Sequence, residues 1–239
     1  MKQLTLPFLR PPDYAAEDFC AAPSNVQARE WLNRPDAWSN DRLVLWGPAG
    51  CGKTHLLHSW AAAHQAEIFS GAALRGLPPP PQGPVAIDDS DMVFEPQALL
   101  HLLNAAAEAG QPVLLAARQP PARQDVPLAD LSSRLRAAQA VEIRGPEDEL
   151  LDMLLTRLAA ERQLHMPIAV RNFLLTRLPR TAAALREAVA RLDRAAAASN
   201  GKVTRGMAAD ILNDTLEDCI ECDTKMLLTR HSLDTEALL

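Results

Sequence analysis

The chain has 239 residues, 48% of them hydrophobic and 23% charged, with a formal net charge of −6. That composition is ordinary for a globular protein of one large domain or a two-part unit, whose core needs neither disulfides nor a structural metal. No apolar run approaches the roughly 20 residues of a membrane span, and the charge lacks the basic surplus that phosphate-driven nucleic-acid binding needs.

In chain order, residues 1–12 read as a short arm ending in Pro11-Pro12. No signal-peptide core precedes Arg10, so the expected location is cytoplasmic and no membrane partner is expected. Ser24-Asn25-Val26-Gln27 has the pattern of a capping box and predicts a helix through about Leu32. Arg42 to Trp46 is a short apolar run bounded by turn residues, the mark of a buried strand, and a helix is predicted from Lys53 to His64. Residues 66–70 form a second candidate strand. Pro78 to Pro81 fits neither helix nor central strand and reads as a stiff loop. Val85 to Asp88 is another buried strand, Pro96 to Ala109 a helix, and Pro112–Ala117 and Ala140–Ile143 complete the strand set. Short apolar strands alternating with longer helices predict an α/β fold, a parallel sheet covered on both faces.

After Gly145 the pattern changes. Glu147–Gln163, Ile168–Leu178, Thr181–Ala198 and Thr204–Leu212 all have helical spacing; Leu150, Leu151, Leu154, Leu155 and Leu158, for instance, share one face. The expected organisation is an arm (1–12), an α/β core (13–145), a small helical lid bundle (146–212) and an acidic tail (213–239). The tail carries Asp214, Glu217, Asp218, Glu221, Asp223, Asp234 and Glu236 against Lys225 and Arg230. Cys219 and Cys222 form a CxxC there. With only His231 near them as a further ligand, they read as unpaired thiols more readily than as a metal or redox site.

Gly47-Pro48-Ala49-Gly50-Cys51-Gly52-Lys53-Thr54 matches G-x-x-x-x-G-K-[ST] in full, between a predicted buried strand and a predicted helix. Its glycines let backbone N–H groups turn inward around phosphates, and the helix N-terminus adds a positive dipole end. Lys53 supplies a mobile charge for the β- and γ-phosphates, and the Thr54 hydroxyl reaches Mg²⁺. The expected cofactors are ADP or ATP with Mg²⁺. A carboxylate at the end of a neighbouring strand completes such a site. Asp88 is expected to hold Mg²⁺ through water, Asp89 is the candidate for orienting an attacking water, and Asp91 is a third candidate.

With the helical bundle and Ile87-Asp88-Asp89, these residues resemble the AAA+ domain of the DnaA family of bacterial replication initiators. Tyr14-Ala15-Ala16-Glu17-Asp18-Phe19, followed by Ser24-Asn25, is similar to that family's adenine-contacting entry segment, which implies cofactor contacts from Asp18, Phe19 and Asn25. Asp130-Leu131-Ser132-Ser133-Arg134-Leu135 is similar to the family's Box VII, where an arginine faces the nucleotide of a neighbouring subunit. The resemblance assigns that catalytic role to Arg134, with Arg136 its competitor, and implies self-association into a homodimer or larger oligomer.

Two features point away from DnaA itself. Residues 213–239 are acidic and too few for its DNA-binding helix-turn-helix domain. The arm, Gln3-Leu4-Thr5-Leu6-Pro7-Phe8, resembles the sliding-clamp-binding peptide Q-L-x-L-P-[LF]. Such a peptide lies extended in an apolar groove with Leu6 and Phe8 in pockets and Gln3 bonded near the rim. The combination resembles the Hda family, DnaA-related regulators that dock on the DNA-loaded clamp and stimulate ATP hydrolysis by DnaA. The implied partners are the clamp and DnaA, with DNA reached only through the clamp. The chain departs from the family pattern twice. Ala116-Ala117-Arg118 stands where a polar sensor is expected, and Ala183, flanked by Arg180 and Arg186, where a sensor arginine opens the third lid helix. Both departures favour nucleotide kept as a structural effector over autonomous hydrolysis. A stand-alone P-loop ATPase, or a nucleic-acid loading ATPase like DnaC or IstB, are the competing readings.

Overall fold

The computed structural model describes residues 14–198 and 203–212. The arm residues Gln3, Leu4, Leu6, Pro7 and Phe8 and the Cys219/Cys222 pair lie outside the described residues. By its internal contacts the chain divides between Leu150 and Leu151.

The first unit is built on five parallel strands: β1 (Arg42–Trp46), β2 (Glu67–Ser70), β3 (Val85–Asp88), β4 (Val113–Ala117) and β5 (Gln139–Glu142), in the order β2-β3-β4-β1-β5. Strand alternation sorts the core into two layers. Leu43, Leu45, Ala86, Leu114, Ala116 and Val141 pack with helices α1 (Val26–Leu32) and α2 (Lys53–His64). Val44, Val85, Ile87, Val113, Leu115 and Ala117 pack with α3 (Pro96–Glu108) and α4 (Ala129–Arg136). Because both faces are covered, β4 is buried at every position and reads as an unbroken apolar run. This is the doubly covered parallel sheet that the sequence predicts.

The helix starts have separate causes. Gly52, at φ 104°, lets the chain turn into α2, and Pro96 at the first position pre-sets α3. The start of α1 departs from expectation. Its cap residue is Asn25, and no side chain caps the helix. Asn25 instead accepts the Ala22 N–H at 3.1 Å and donates to the Cys20 carbonyl at 3.0 Å. Ser24 faces Glu147, where burial opposes the carboxylate but hydrogen bonds from its own backbone and from Ser24 leave its pKa below the usual range. Local backbone partners of Asn25 and the Ser24–Glu147 contact take the place of the cap.

The second unit contains most of α5 (Asp148–Glu161), then α6 (Ile168–Leu175), α7 (Ala182–Ala198) and α8 (205–212). They close around Leu155, Leu174, Leu185, Val189, Leu192 and Ile211. The sequence places the end of α6 at Leu178, but the helix stops three residues earlier, where the Thr176 hydroxyl donates to the Asn172 carbonyl at 3.0 Å and Pro179 follows. Among the described residues, no helix is long and apolar enough to cross a membrane.

Candidate nucleotide-binding site

The glycine-rich loop joins β1 to α2 at the C-terminal edge of the sheet. Gly47 donates its N–H to the Ala117 carbonyl at 3.3 Å, which ties the loop to β4. A methyl group at Gly47 would overlap the Ile143 carbonyl oxygen. Gly50 (φ 76°) and Gly52 (φ 104°) take left-handed conformations that a side chain would strain. Lys53 is buried and donates from Nζ to the Gly47 and Pro48 carbonyls, both at 2.9 Å. Burial pushes the Cys51 thiol up, with the Lys53 ammonium pulling the other way. Pro48 and Ala49 form the exposed crest of the loop, and Thr54 is half-buried in the first turn of α2.

Asp88 ends β3, and its Oδ1 accepts the Asp89 N–H at 3.1 Å. Asp89 is left-handed (φ 48°, ψ 47°). Burial raises its pKa, the Asp88 and Asp91 charges raise it further, and Arg118 and Lys53 partly offset them. Ser90 donates to the Ala116 carbonyl at 2.9 Å, and Asp91 accepts the Arg118 N–H at 2.8 Å. These two bonds bolt the acidic loop to the end of β4, so Asp91 does structural work. The loop, Lys53, Asp88 and Asp89 converge on one edge. Thr54 and Asp88 offer only oxygen donors, as Mg²⁺ requires. The residues present fit a nucleoside phosphate with Mg²⁺.

The entry segment lies along α2. Its residues 16–18 form a single 3-10 turn containing Asp18. His55 donates from Nε2 to the Ala15 carbonyl at 2.9 Å, and Ser59 donates to the Tyr14 carbonyl at 2.8 Å. Tyr14 stacks on His58 with ring centroids 4.4 Å apart. Phe19 packs on His55 at 5.2 Å and reaches Gly52, where an added Cβ would stand 3.0 Å from its ring. The structure thus brings Phe19 to the phosphate loop, whereas Asn25 directs its side chain into its own segment. His55, His58 and Ser59 were not singled out in the sequence. Their signal is there: three polar residues at i, i+3 and i+4 on one face of a core helix.

Arg134 is not brought to the loop. It sits in the last turn of α4, where its Nε lies 3.2 Å from Asp130 Oδ1. Just beyond, the Ala137 carbonyl accepts from Asn40 Nδ2 at 3.0 Å. Asn40 precedes β1 and Gly47 follows it, so the two sites lie at opposite edges of the sheet. Arg42, at the start of β1, has its pKa lowered by burial and further by the Arg134 charge. Arg136 is exposed. Arg118 follows β4 and meets Asp91 through its backbone. Ala183, Arg180 and Arg186 belong to the second unit and are described only within it.

Residues 148–212 match the family described as the Hda lid domain. Domain III of the replication initiation protein DnaA from Thermotoga maritima has a TM-score of 0.70 at 19% identity, covering 85% of this chain and 97% of that one. The lid residues thus resemble the Hda lid domain, and the chain has the fold of DnaA domain III. AMPPCP-bound DnaA from Aquifex aeolicus resembles this chain with a TM-score of 0.61 at 19% identity, covering 77% of this chain and 65% of that one. The RuvB Holliday junction branch migration motor of Thermotoga maritima scores 0.61 at 20% identity, covering 84% and 72%. An uncharacterized protein of Haemophilus influenzae is 28% identical over 230 residues, 89% of this chain and 99% of that protein.

Proposed function

We propose that this chain is a nucleotide-bound regulator of replication initiation that docks on the DNA sliding clamp through Gln3–Phe8 and stimulates ATP hydrolysis on DnaA through Arg134. The observation that carries the reading is the placement of Arg134 at the sheet edge opposite the phosphate loop. An arginine there serves a nucleotide held by another molecule. Its Nε is taken by Asp130, and its two terminal NH₂ groups are the ones suited to a phosphate fork. Such a group, stabilising charge on a transferring phosphoryl, is worth about 10³–10⁵ in rate.

Within its own site, Lys53 neutralises phosphate charge, Thr54 and Asp88 hold Mg²⁺, and Phe19 supplies an apolar wall for the base. Held by Thr54 and Asp88, Mg²⁺ would offset the negative charge of the phosphates. The resident nucleotide, ADP or ATP, acts as a structural effector. Ala116 and Ala117 offer no polar side chain toward it, which supports weak turnover by this chain alone. The protein works in the cytoplasm, reaches DNA through the clamp, and self-associates through the same Arg134 edge.

The test is ATP hydrolysis by DnaA in the presence of DNA-loaded clamp, with and without this protein. Stimulation is expected, with little turnover by the protein alone. No stimulation, together with turnover at the rate of an active ATPase, would replace this reading with that of a stand-alone P-loop ATPase.

A further inference from the structure

His55 is only 8% exposed although it lies on a core helix, and Ser59 and His58, one turn on, are half-buried. Burying polar side chains costs free energy unless each finds a partner. On this face of α2 the partners come from residues 14–19, not from the sheet. The Ala15 carbonyl accepts from His55, the Tyr14 carbonyl accepts from Ser59, and the Tyr14 and Phe19 rings lie against His58 and His55. With the Tyr14 ring also edge-on to His55, five contacts fasten one short segment to one helix. That helix begins with Lys53 and Thr54, and Phe19 at the end of the fastened segment reaches its cap residue, Gly52.

We propose that His55, assisted by Ser59, is a positioning residue of the nucleotide site: it fixes the entry segment so that Phe19 stands as the wall for the base beside a phosphate loop on the same helix. The inference rests on reading Gly47–Thr54 as a nucleoside phosphate site. A carbonyl accepts and never donates, so the His55 ring carries its proton on Nε2. Phosphates bind at the α2 N-terminus through backbone N–H groups and Lys53, none of which needs His55. The base is different. Its share of the affinity depends on the entry segment being ordered beforehand, since ordering it on binding subtracts from the net gain. His55 thus sets how much the base adds to the phosphates, and with that the discrimination between a nucleotide and a bare phosphate chain.

Calorimetric titrations with Mg²⁺-ADP and with Mg²⁺-pyrophosphate test this on the full chain. For His55→Ala, the Kd for ADP should rise about tenfold while that for pyrophosphate stays within about twofold, a loss of base contribution of about 1.4 kcal/mol. His55→Gln, whose amide N–H can reach the place of Nε2, should recover most of the ADP affinity. Ser59→Ala removes one bond with little change of volume and should raise the ADP Kd about threefold, again sparing pyrophosphate. Equal weakening of both ligands, or no change in either, would overturn the proposal. A wild-type chain that binds pyrophosphate as tightly as ADP would also overturn it while leaving the phosphate loop intact. A wild-type chain that binds neither would instead remove the nucleotide reading itself.

Discussion

The Nε of Arg134 lies 3.2 Å from Oδ1 of Asp130, one turn earlier on α4. The pair is exposed, so its contribution to folding is at most about 0.5 kcal/mol. Its consequence is orientation: Nε is held back along the helix, which leaves the terminal nitrogens as the fork for a phosphate. Arg134→Ala should therefore reduce the stimulated hydrolysis by DnaA to near its unstimulated rate, about 100-fold or more, while ADP affinity of the chain and its thermal midpoint scarcely move. Arg134→Lys should not rescue, because an ammonium offers a point charge and no fork. Equal stimulation by Arg134→Ala and wild type, with Arg136→Ala inactive, would move the role to Arg136.

Asp89 carries a stability prediction whose sign follows from its environment. Burial first, then the Asp88 and Asp91 charges, raise its folded-state pKa above the unfolded value. The folded state therefore holds this proton more tightly, and ionisation destabilises it in full once the pH exceeds the folded pKa. Asp89→Asn should raise the thermal midpoint at pH 7, and asparagine tolerates the left-handed conformation at φ 48°. The gain should fade as the pH drops toward about 4, where an unperturbed aspartate itself takes up its proton. A variant less stable than wild type at pH 7 would show that the Arg118 and Lys53 charges outweigh burial and like-charge repulsion.

Gly71 offers a purely steric case. A methyl group there would overlap the Asp89 carbonyl oxygen and crowd the Asp88 carbonyl. Those atoms belong to backbone that Ser90 and Asp91 already bolt to β4, so they have little freedom to give way. Gly71→Ala should destabilise the chain by about 1–3 kcal/mol in urea unfolding. Because the displaced atoms carry Asp88, Mg²⁺-dependent ADP affinity should also fall, more than affinity measured without Mg²⁺. Gly145→Ala is the control for lost glycine alone, since nothing lies within 4 Å of its position and its φ is not left-handed.

Local pattern explains what was legible. Arg42–Trp46, Val85–Asp88 and Lys53–His64 fold with the bounds their sequences predict, because each is an apolar or amphipathic run between residues that stop it. Parallel pairing follows from helices between strands, and the α/β class with it. The unread features depend on partners that helix and strand periodicity do not encode. Asn25 looks like part of a capping box until Ala22 and Cys20 claim its amide. His55 stands at helical spacing with His58 and Ser59, but its partner Ala15 lies forty positions away and cannot be read from that spacing. Arg134 is recognisable by its neighbours in sequence, but its distance from the phosphate loop comes from the strand order alone, with β1 carrying Asn40 at one end and Gly47 at the other.

The arm and Arg134 should fail in different ways when altered, and the difference is measurable. Gln3-Leu4-Thr5-Leu6-Pro7-Phe8 would lie extended in an apolar groove, and a tether of this kind acts by raising effective concentration near DnaA, to about the millimolar range for a short link. Concentration lost at the tether can be restored in solution, whereas a missing guanidinium cannot. Gln3→Ala and Phe8→Ala should weaken clamp binding about tenfold or more, leave ADP affinity unchanged, and shift the protein concentration needed for half-maximal stimulation upward by a similar factor with the same plateau. Arg134→Ala should lower the plateau and leave clamp binding alone. Titrating each variant against DnaA on DNA-loaded clamp separates the two. An unchanged half-maximal concentration for both arm variants would mean that docking on the clamp does not run through these residues.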